Sequence, residues 1–184
     1  MQNIPFSRST AMKKLILSSA QIAERVTELG RQISRDYAGR PLVLVGVLNG
    51  AFIFMADLAR AIDLPVRIDF VRVASYGMTS SAGQLSFIKD VELPLADADV
   101  LLVEDIIDTG RTIARLKEHF QAKGAASVRV CALIDKTERR EVQIEADYVG
   151  FPVAEGFLVG YGLDFAEQHR NLADVYHLEN PQEP

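Results

Sequence analysis

The stretch of sequence that decides the fold is Val100-Leu101-Leu102-Val103-Glu104-Asp105-Ile106-Ile107-Asp108-Thr109-Gly110-Arg111-Thr112. Its first four residues are apolar and predict a short buried strand. The acidic side chains and a Thr-Gly turn come next, before a helical pattern that runs from Thr112 to about Lys123. We therefore expect a strand, an acidic turn and a helix in direct succession.

The turn and the start of the helix suit the binding of a sugar phosphate. Backbone N–H groups at the N-terminus of a helix, with threonine hydroxyls beside them, attract a phosphate monoester. The carboxylates of Glu104 and Asp105 can accept hydrogen bonds from vicinal hydroxyls or bind a cation. A plainer interpretation stays open at this point: the strand ends in a solvated acidic turn, and Asp108 or Thr109 only caps the helix.

On both sides of this stretch, apolar runs alternate with helical patterns. Ser18 and Gln21 have capping-box spacing and open an amphipathic helix that extends to Tyr37, and a second helical pattern runs to about Asp63. The predicted strands are residues 42–47, 66–73, 100–103, 128–134, 148–151 and 157–161. This alternation predicts an α/β fold: a Rossmann-like, mostly parallel sheet with helices on both faces and ligands at the carboxyl ends of the strands.

Composition bounds the class of protein. The chain has 184 residues, 48% of them hydrophobic, so we expect a single domain over residues 1–184. With 20 basic and 25 acidic side chains the formal charge is −5, which argues against a nucleic-acid-binding surface. The single cysteine, Cys131, lies in an apolar run and predicts a buried thiol. No membrane span or signal peptide is recognisable, so we expect a cytoplasmic protein without a membrane partner.

Residues 75–89 are rich in Ser, Gly and Thr. A loop of this length inside a compact domain is more often a functional lid than an idle connection, so we expect a mobile loop over about residues 75–89, with Ser75 and Tyr76 at its base. A plain flexible surface loop is the alternative. The polar residues 179–184 predict a loose tail.

The stretch quoted at the start resembles the phosphoribosyl-diphosphate-binding motif of type I phosphoribosyltransferases, in which an apolar run precedes two acids and an Asp-Thr-Gly-x-Thr turn. The resemblance implies the fold of that family, with a small hood and a mobile active-site loop. It also implies that 5-phosphoribosyl 1-diphosphate is bound through its ribose phosphate by Glu104, Asp105, Asp108, Thr109, Gly110, Arg111 and Thr112.

Two further segments resemble the hypoxanthine-guanine branch of this family. Residues 45–51 resemble a diphosphate-binding loop, which implies that Leu48, Asn49 and Gly50 bind diphosphate together with Arg170. In this branch the peptide bond before the Asn49 position is often cis. The segment that ends in Ser75 and Tyr76 resembles the root of a mobile loop that covers the reacting centre and excludes water from it.

Two later segments, around Lys136 and after Phe157, resemble the base-binding parts of the same branch. By this resemblance Lys136 donates to O6 of the purine and Phe157 stacks on the ring, while backbone groups around Leu158 and Asp164 read the N1 and 2-position edge. An ammonium has no acceptor, so a 6-amino group finds no partner there and adenine is rejected. Taken singly, each residue has a plain alternative: Phe157 as core, Lys136 as solvated surface and Asp164 as a helix cap.

The reaction that the resemblance implies is the Mg²⁺-dependent transfer of 5-phosphoribosyl from 5-phosphoribosyl 1-diphosphate to hypoxanthine and guanine. The products are IMP or GMP and diphosphate. Asp108 is the expected base for the purine imidazole proton, and Asp164, Glu104 and Asp105 are expected to hold Mg²⁺. Members of the family are usually dimers or tetramers, so a homodimer or homotetramer is expected.

The sequence departs from the family pattern at two positions. Asn49 stands where many relatives carry a basic residue, which weakens only a side-chain contact. Leu158 stands where a β-branched residue is frequent, which leaves the preference among hypoxanthine, guanine and xanthine open, with hypoxanthine expected first. One alternative is a regulatory nucleotide- or RNA-binding protein of the same fold, although the negative charge argues against RNA. Another is an enzyme for adenine or orotate, against which Lys136 and Phe157 argue.

Overall fold

The computed structural model describes residues 13–74 and 86–179 of the chain. The elements in chain order are β1 (Lys13–Leu17), α1 (Ser19–Asp36), β2 (Leu42–Leu48), α2 (Phe52–Ala61), β3 (Val66–Ala74), β4 (Ser86–Lys89), β5 (Asp99–Ile107), α3 (Arg111–Ala122), β6 (Ser127–Lys136), β7 (Tyr148–Val153), β8 (Leu158–Val159) and β9 (Val175–Leu178). They form a six-stranded sheet in the order β4-β3-β2-β5-β6-β7 and a three-stranded sheet in the order β1-β9-β8.

The six-stranded sheet is parallel except at its edge, where β4 pairs with β3 in the antiparallel sense. From β2 the chain passes to β3 on one side, and from β5 it passes to β6 on the other side. The strand order therefore reverses between β2 and β5. In open α/β sheets this switch point, at the carboxyl ends of the strands, is where ligands bind.

Helices cover both faces of this sheet, as predicted. Side chains alternate between the faces of a strand, and β2 shows the division. Leu42 and Leu44 belong to the core under α1 and α2, whereas Val43 and Val45 belong to the core under α3. The Leu/Val-rich central strands are apolar on both faces because each face is covered.

The start of α1 is set by a local hydrogen-bonding motif. The Gln21 backbone N–H donates to Ser18 Oγ at 3.3 Å, and the Ser18 N–H donates to Gln21 Oε1 at 2.9 Å, which completes the predicted capping box. The buried face of the helix consists of Ile22, Val26, Leu29, Gly30 and Ile33.

The three-stranded sheet joins the two ends of the described chain. β1 pairs with β9, and β9 pairs with the two-residue strand β8, which directly follows Phe157. This small sheet corresponds to the hood that the family resemblance implies. It fixes the backbone on which the candidate base-binding residues lie.

The acidic turn predicted after residue 103 is wrong in its position. β5 continues through Glu104 and Asp105 to Ile107, with Glu104 opposite Ala132 and Ile107 opposite Asp135 of β6. Two carboxylates interrupt the apolar run, but pairing with the neighbouring strand carries the backbone past them. Likewise β6 extends to Lys136, two residues beyond the predicted end.

Other boundaries also differ from the predictions. Residues 86–89, predicted as the end of a mobile loop, form β4, and the strand predicted over 157–161 is only two residues long. The strands β1 and β9 were not predicted, since their pairing is between distant parts of the chain. Ser75, Tyr76 and the tail after residue 179 lie outside the described residues.

The apolar face of α2 is used mostly inside the chain. Phe54, Met55 and Leu58 are buried under α1 and the sheet, whereas Phe52 stays 44% exposed. Within the ranges that the structure describes, no helix combines the length and apolar character needed to cross a membrane.

Candidate active site

The candidate residues meet at the carboxyl edge of the central strands. β2 ends at Leu48, directly before Asn49 and Gly50, and the Leu48–Asn49 peptide bond is cis, as the family resemblance implies. Next to it, β5 ends at Ile107 and is followed by the turn 108–112, and β6 ends at Lys136. Because these strands are parallel neighbours, their ends lie at one edge of the sheet.

Glu104 and Asp105 form an acidic pair in the last part of β5. Glu104 Oε2 is buried and has no hydrogen-bond partner among the described residues. Burial raises the pKa of the Glu104 carboxyl well above its usual value, and the neighbouring Asp105 charge adds to that rise. Burial also raises the pKa of Asp105, although the charge of Arg170 acts in the opposite direction. The positive charge near this acidic pair therefore does not compensate for its burial.

Two glycines allow three segments of the site to touch. A Cβ atom at Gly50 would lie 1.8 Å from Asp105 Oδ2, so the loop after β2 sits directly against the acidic pair. A Cβ atom at Gly162 would lie 2.0 Å from the Gly50 carbonyl oxygen, and Gly162 also has a φ of +103°. A larger side chain at Gly50 would push the loop away from the Asp105 carboxylate, and one at Gly162 would push that segment away from the Gly50 backbone.

Arg170 and Asp164 are paired in this structure. Arg170 Nη2 lies 2.8 Å from Asp164 Oδ1 and 3.3 Å from Glu167 Oε2. Arg170 Nη1 donates to the Gly162 carbonyl at 2.9 Å. No helix follows Asp164 in the described part of the chain, and its Oδ2 instead accepts from the Glu167 N–H at 2.9 Å.

The turn 108–112 has the shape of a helix start with free donors. Gly110 has a φ of +82° and precedes α3, which begins at Arg111, one residue before the predicted start. The Arg111 N–H faces Thr109 Oγ1 at 3.4 Å, and the Arg111 side chain pairs with Glu141 at the surface. Thr112 lies in the first turn of α3.

Asp108 and Lys136 face each other across the ends of β5 and β6. Lys136 Nζ lies 4.0 Å from Asp108 Oδ1 and 3.1 Å from Glu138 Oε2. Asp108 Oδ1 is buried without a hydrogen-bond partner in the described ranges, and Arg139 Nη1 lies 3.5 Å from Asp108 Oδ2. Lys136 is itself only 6% exposed, so it is not the solvated surface residue that the sequence also allowed.

Phe157 offers an open aromatic face beside these charges. The residue is 40% exposed, which contradicts the alternative that it belongs to the core. Phe165 meets its ring edge-on at a centroid distance of 5.3 Å. Leu158 is buried and pairs with His177 of β9. The Phe157 ring is thus held in place by the three-stranded sheet and by its contact with Phe165.

Sequence reasoning missed Glu138 and Arg140. Glu138 Oε2 contacts Lys136 and accepts weakly from the Gly156 N–H at 3.4 Å, next to Phe157. Arg140 donates to backbone carbonyls at the ends of both β5 and β6. The only signal in the sequence is their closeness to Lys136, because the β5 partners of Arg140 lie 32 and 33 residues earlier and Gly156 lies 18 residues after Glu138.

The carboxylates at the end of β5 meet the needs of Mg²⁺. Within residues 13–74 and 86–179, no three His, Cys, Asp or Glu side chains form a ready-made metal site. Mg²⁺ is commonly bound through only one or two carboxylates, with substrate oxygens and waters completing the octahedron. The partnerless oxygen of Glu104, beside Asp105, fits that requirement.

The fold and the switch-point site define a phosphoribosyltransferase, and the family model described as phosphoribosyl transferase domain matches residues 14–166. The hypoxanthine-guanine phosphoribosyltransferase of Streptococcus mutans is 48% identical over 165 residues, covering 89% of this chain and 92% of that protein. The chain belongs to the hypoxanthine-guanine phosphoribosyltransferase family, and it is an enzyme of the glycosyltransferase class.

Other relatives agree with this assignment. The hypoxanthine-guanine phosphoribosyltransferase of Aquifex aeolicus is 44% identical over 169 residues, covering 91% of this chain and 95% of that protein. A crystal structure of a hypoxanthine phosphoribosyltransferase from Staphylococcus aureus superposes with a TM-score of 0.87 at 42% identity and covers 92% of both chains. These names support purine salvage and give no support to the regulatory alternative.

Proposed function

We propose that the enzyme transfers the 5-phosphoribosyl group from 5-phosphoribosyl 1-diphosphate to hypoxanthine and guanine, in a reaction that depends on Mg²⁺. IMP or GMP and diphosphate are the products. The observation that carries the proposal is the approach of Lys136 Nζ to within 4.0 Å of Asp108 Oδ1 at the switch point. A buried donor and a buried acceptor at that distance suit O6 and the imidazole N–H of one purine, which are neighbours on one edge of the base.

The base side of the proposal rests on Lys136 and Phe157. The buried ammonium of Lys136 donates to O6, and the open face of Phe157 stacks on the purine ring. Backbone groups around Leu158 and Asp164 read the N1 and 2-position edge. Since Lys136 has no acceptor, adenine loses this interaction and is a poor substrate.

The phosphoribosyl side rests on the strand ends of β5 and β2. The backbone N–H groups and hydroxyls of Thr109, Gly110, Arg111 and Thr112 bind the 5-phosphate at the start of α3. Glu104 and Asp105 accept hydrogen bonds from the ribose hydroxyls. The diphosphate lies on Leu48, Asn49 and Gly50. Arg170 breaks its ion pair with Asp164 and binds the diphosphate through two parallel N–H donors of its guanidinium.

Asp164, Glu104 and Asp105 are the carboxylates that would hold Mg²⁺. At that position a bound Mg²⁺ would supply positive charge to balance the charge that develops on the leaving diphosphate. Asp108 accepts the imidazole proton of the purine while the base attacks the ribosyl carbon, and its Oδ1, which has no hydrogen-bond partner among the described residues, can do so.

The experiment is product formation from 5-phosphoribosyl 1-diphosphate and Mg²⁺ with hypoxanthine, guanine, xanthine or adenine. We expect nucleotide from hypoxanthine and guanine and far less from adenine, and a Mg²⁺-free reaction should be inactive. Turnover of adenine alone, or no turnover in folded protein, would contradict the proposal.

The same assay tests the role of Asp108. General acid–base groups contribute about 10²- to 10⁴-fold, so Asp108→Asn should lower kcat by roughly that factor. Binding of 5-phosphoribosyl 1-diphosphate, measured by calorimetry, should change little, since the backbone of the turn remains. Full turnover in Asp108→Asn would remove Asp108 from the role of base.

We further propose that the chain is a single domain that assembles as a homodimer or homotetramer in the cytoplasm. Phe52 and Ile68, exposed to 44% and 46%, provide apolar surface for a subunit contact. Light scattering on a size-exclusion column measures the assembly, and a monomeric mass at micromolar concentration would contradict it.

A further inference from the structure

Arg140 has no role in the function proposed above, yet it contacts the segments that carry that function. Its side chain is 17% exposed. Nε donates to the Asp108 carbonyl at 3.0 Å, and Nη2 donates to the Ile107 carbonyl at 3.3 Å. Arg140 therefore holds the last carbonyl of β5 and the first carbonyl of the turn 108–112, the phosphate turn of the proposed function.

The same guanidinium holds the end of β6. Nη2 donates to the Lys136 carbonyl at 3.0 Å and pairs with the Asp135 carboxylate, while Nη1 donates to the Ile144 carbonyl at 2.5 Å. A planar guanidinium presents its N–H groups in a fixed fork, so these partners are held in one geometry. One side chain thus connects the ends of two neighbouring strands.

Packing under the phosphate turn adds to this connection. A Cβ atom at Gly110 would lie 3.3 Å from Arg140 Cδ, so the stem of the arginine is close to the turn. The backbone N–H groups of Glu141 and Val142 donate to the Thr109 carbonyl at 3.0 and 3.1 Å. The segment after β6 is therefore fastened to the turn after β5.

We propose that Arg140 is a positioning residue that sets the spacing between Asp108 and Lys136. It acts through their backbones: it holds the carbonyl of each residue, and the two side chains lie 4.0 Å apart. O6 and the neighbouring imidazole N–H of the purine reach their donor and proton acceptor together only when both strand ends are held. This inference rests on the proposed roles of Asp108 and Lys136 in base binding and proton transfer.

The first test compares Arg140→Lys with the wild type. Lysine keeps the charge but cannot supply the planar set of donors. Misplacement of a catalytic group by about 1 Å can cost 100-fold, so we expect kcat to fall and KM for hypoxanthine to rise by at least about fivefold each. The matched control is Arg115→Gln, which removes an exposed arginine of α3 that pairs only with Glu118 among the described residues, and should leave both constants unchanged.

A double-mutant cycle shows whether Arg140 acts through Lys136. The effects of Arg140→Lys and Lys136→Met on KM for hypoxanthine should be clearly less than additive. Once Arg140→Lys has misplaced the Lys136 ammonium, that ammonium contributes little to base binding, so its removal costs little more. Fully additive effects would overturn the proposal. So would kinetic constants per folded molecule that equal those of the wild type, with only the melting temperature lowered.

If Arg140→Lys fails to fold, Asp135→Asn provides the test, because it removes the charge of one partner of the guanidinium and leaves Arg140 in place. The same changes in KM and kcat, smaller in size, are expected, and wild-type constants in this variant would overturn the proposal. If the wild-type enzyme uses no 6-oxopurine, the proposed function fails. If it does, and the cycle is additive, only the role of Arg140 fails.

Discussion

Lys136 lies at the end of β6 with its ammonium buried at the candidate base site. Glu138 Oε2 at 3.1 Å is its nearest ionic partner among the described residues, and Asp108 Oδ1 follows at 4.0 Å. An ammonium carries three donors, so these neighbours leave capacity for a purine oxygen. We infer that this one donor accounts for part of the discrimination between 6-oxo and 6-amino purines.

Lys136→Met should weaken the use of hypoxanthine selectively. Loss of a hydrogen bond from a charged donor to a buried acceptor costs about 1–3 kcal/mol, so kcat/KM for hypoxanthine should fall by about 5- to 150-fold. The value for adenine should not fall, so the preference between the two bases narrows. Steady-state kinetics with both bases measure this, with Lys117→Met on α3 as the control. An unchanged preference for hypoxanthine over adenine would show that Lys136 does not recognise O6.

At the scale of an element, Asp69 fastens β3 to the chain that follows β4. Its Oδ2 accepts from the Glu92 and Leu93 N–H groups at 2.7 and 2.9 Å, and its Oδ1 accepts from Lys89 Nζ at 3.0 Å. Burial acts to raise the pKa of Asp69, but the hydrogen bonds from Leu93, Phe70, Lys89 and Glu92 outweigh it and lower the pKa to about 2.

The lowered pKa of Asp69 predicts how stability depends on pH. In the unfolded chain the carboxyl has the ordinary aspartate pKa of 3.8, so around and below that pH the folded state binds fewer protons than the unfolded chain. The stabilisation is complete above about pH 5 and is lost as pH falls through about 4 towards 2. From the two pKa values its size is roughly 2 kcal/mol at neutral pH, and about half of that at pH 3.

Asp69→Asn tests this prediction by urea unfolding at pH 7 and at pH 3. We expect the variant to lose roughly 2 kcal/mol of unfolding free energy at pH 7, and a smaller amount at pH 3. Asp97→Asn is the control, since Asp97 has no ion pair among the described residues. An equal loss of unfolding free energy at both pH values would mean that the charge of Asp69 does not stabilise the contact between β3 and the chain after β4.

At the scale of the whole molecule, Cys131 reports on the integrity of the central sheet. It lies in β6, paired with Val103 of β5 and Tyr148 of β7, and is fully buried. Burial raises the pKa of its thiol far above the usual value, so the reactive thiolate is scarce in the native state. The thiol is therefore exposed only when the sheet opens.

Labelling of Cys131 by an aromatic disulfide reagent should be very slow in the native protein and rapid in denaturant. A ligand that binds only the folded state stabilises it by about 2.7 kcal/mol at 100 times its Kd, so 5-phosphoribosyl 1-diphosphate with Mg²⁺ should slow labelling by about 100-fold. The reaction is followed by absorbance, with Cys131→Ala as the blank. Rapid labelling in native buffer would show that β6 opens locally.

The α/β class and the candidate site residues were predictable because they depend on neighbouring residues. The alternation of apolar runs and helical patterns, the capping box of Ser18 and Gln21 and the ordered motif over residues 100–112 are all local. The length of β5 was not predictable in this way. It continues through Glu104 and Asp105 because β6 pairs with it beyond the apolar run, and a local pattern contains no information about the partner.

The sequence by itself determined the family, the turn 108–112 and the identity of the candidate base-binding residues, since each lies in a contiguous motif. Only the tertiary structure decided how those residues are held. Arg140 donates to a carbonyl 32 residues earlier in the chain, and Gly162 lies against the Gly50 carbonyl. Such contacts arise because parallel strands bring distant segments to one edge of the sheet, and the spacing along the chain does not encode the spacing across it.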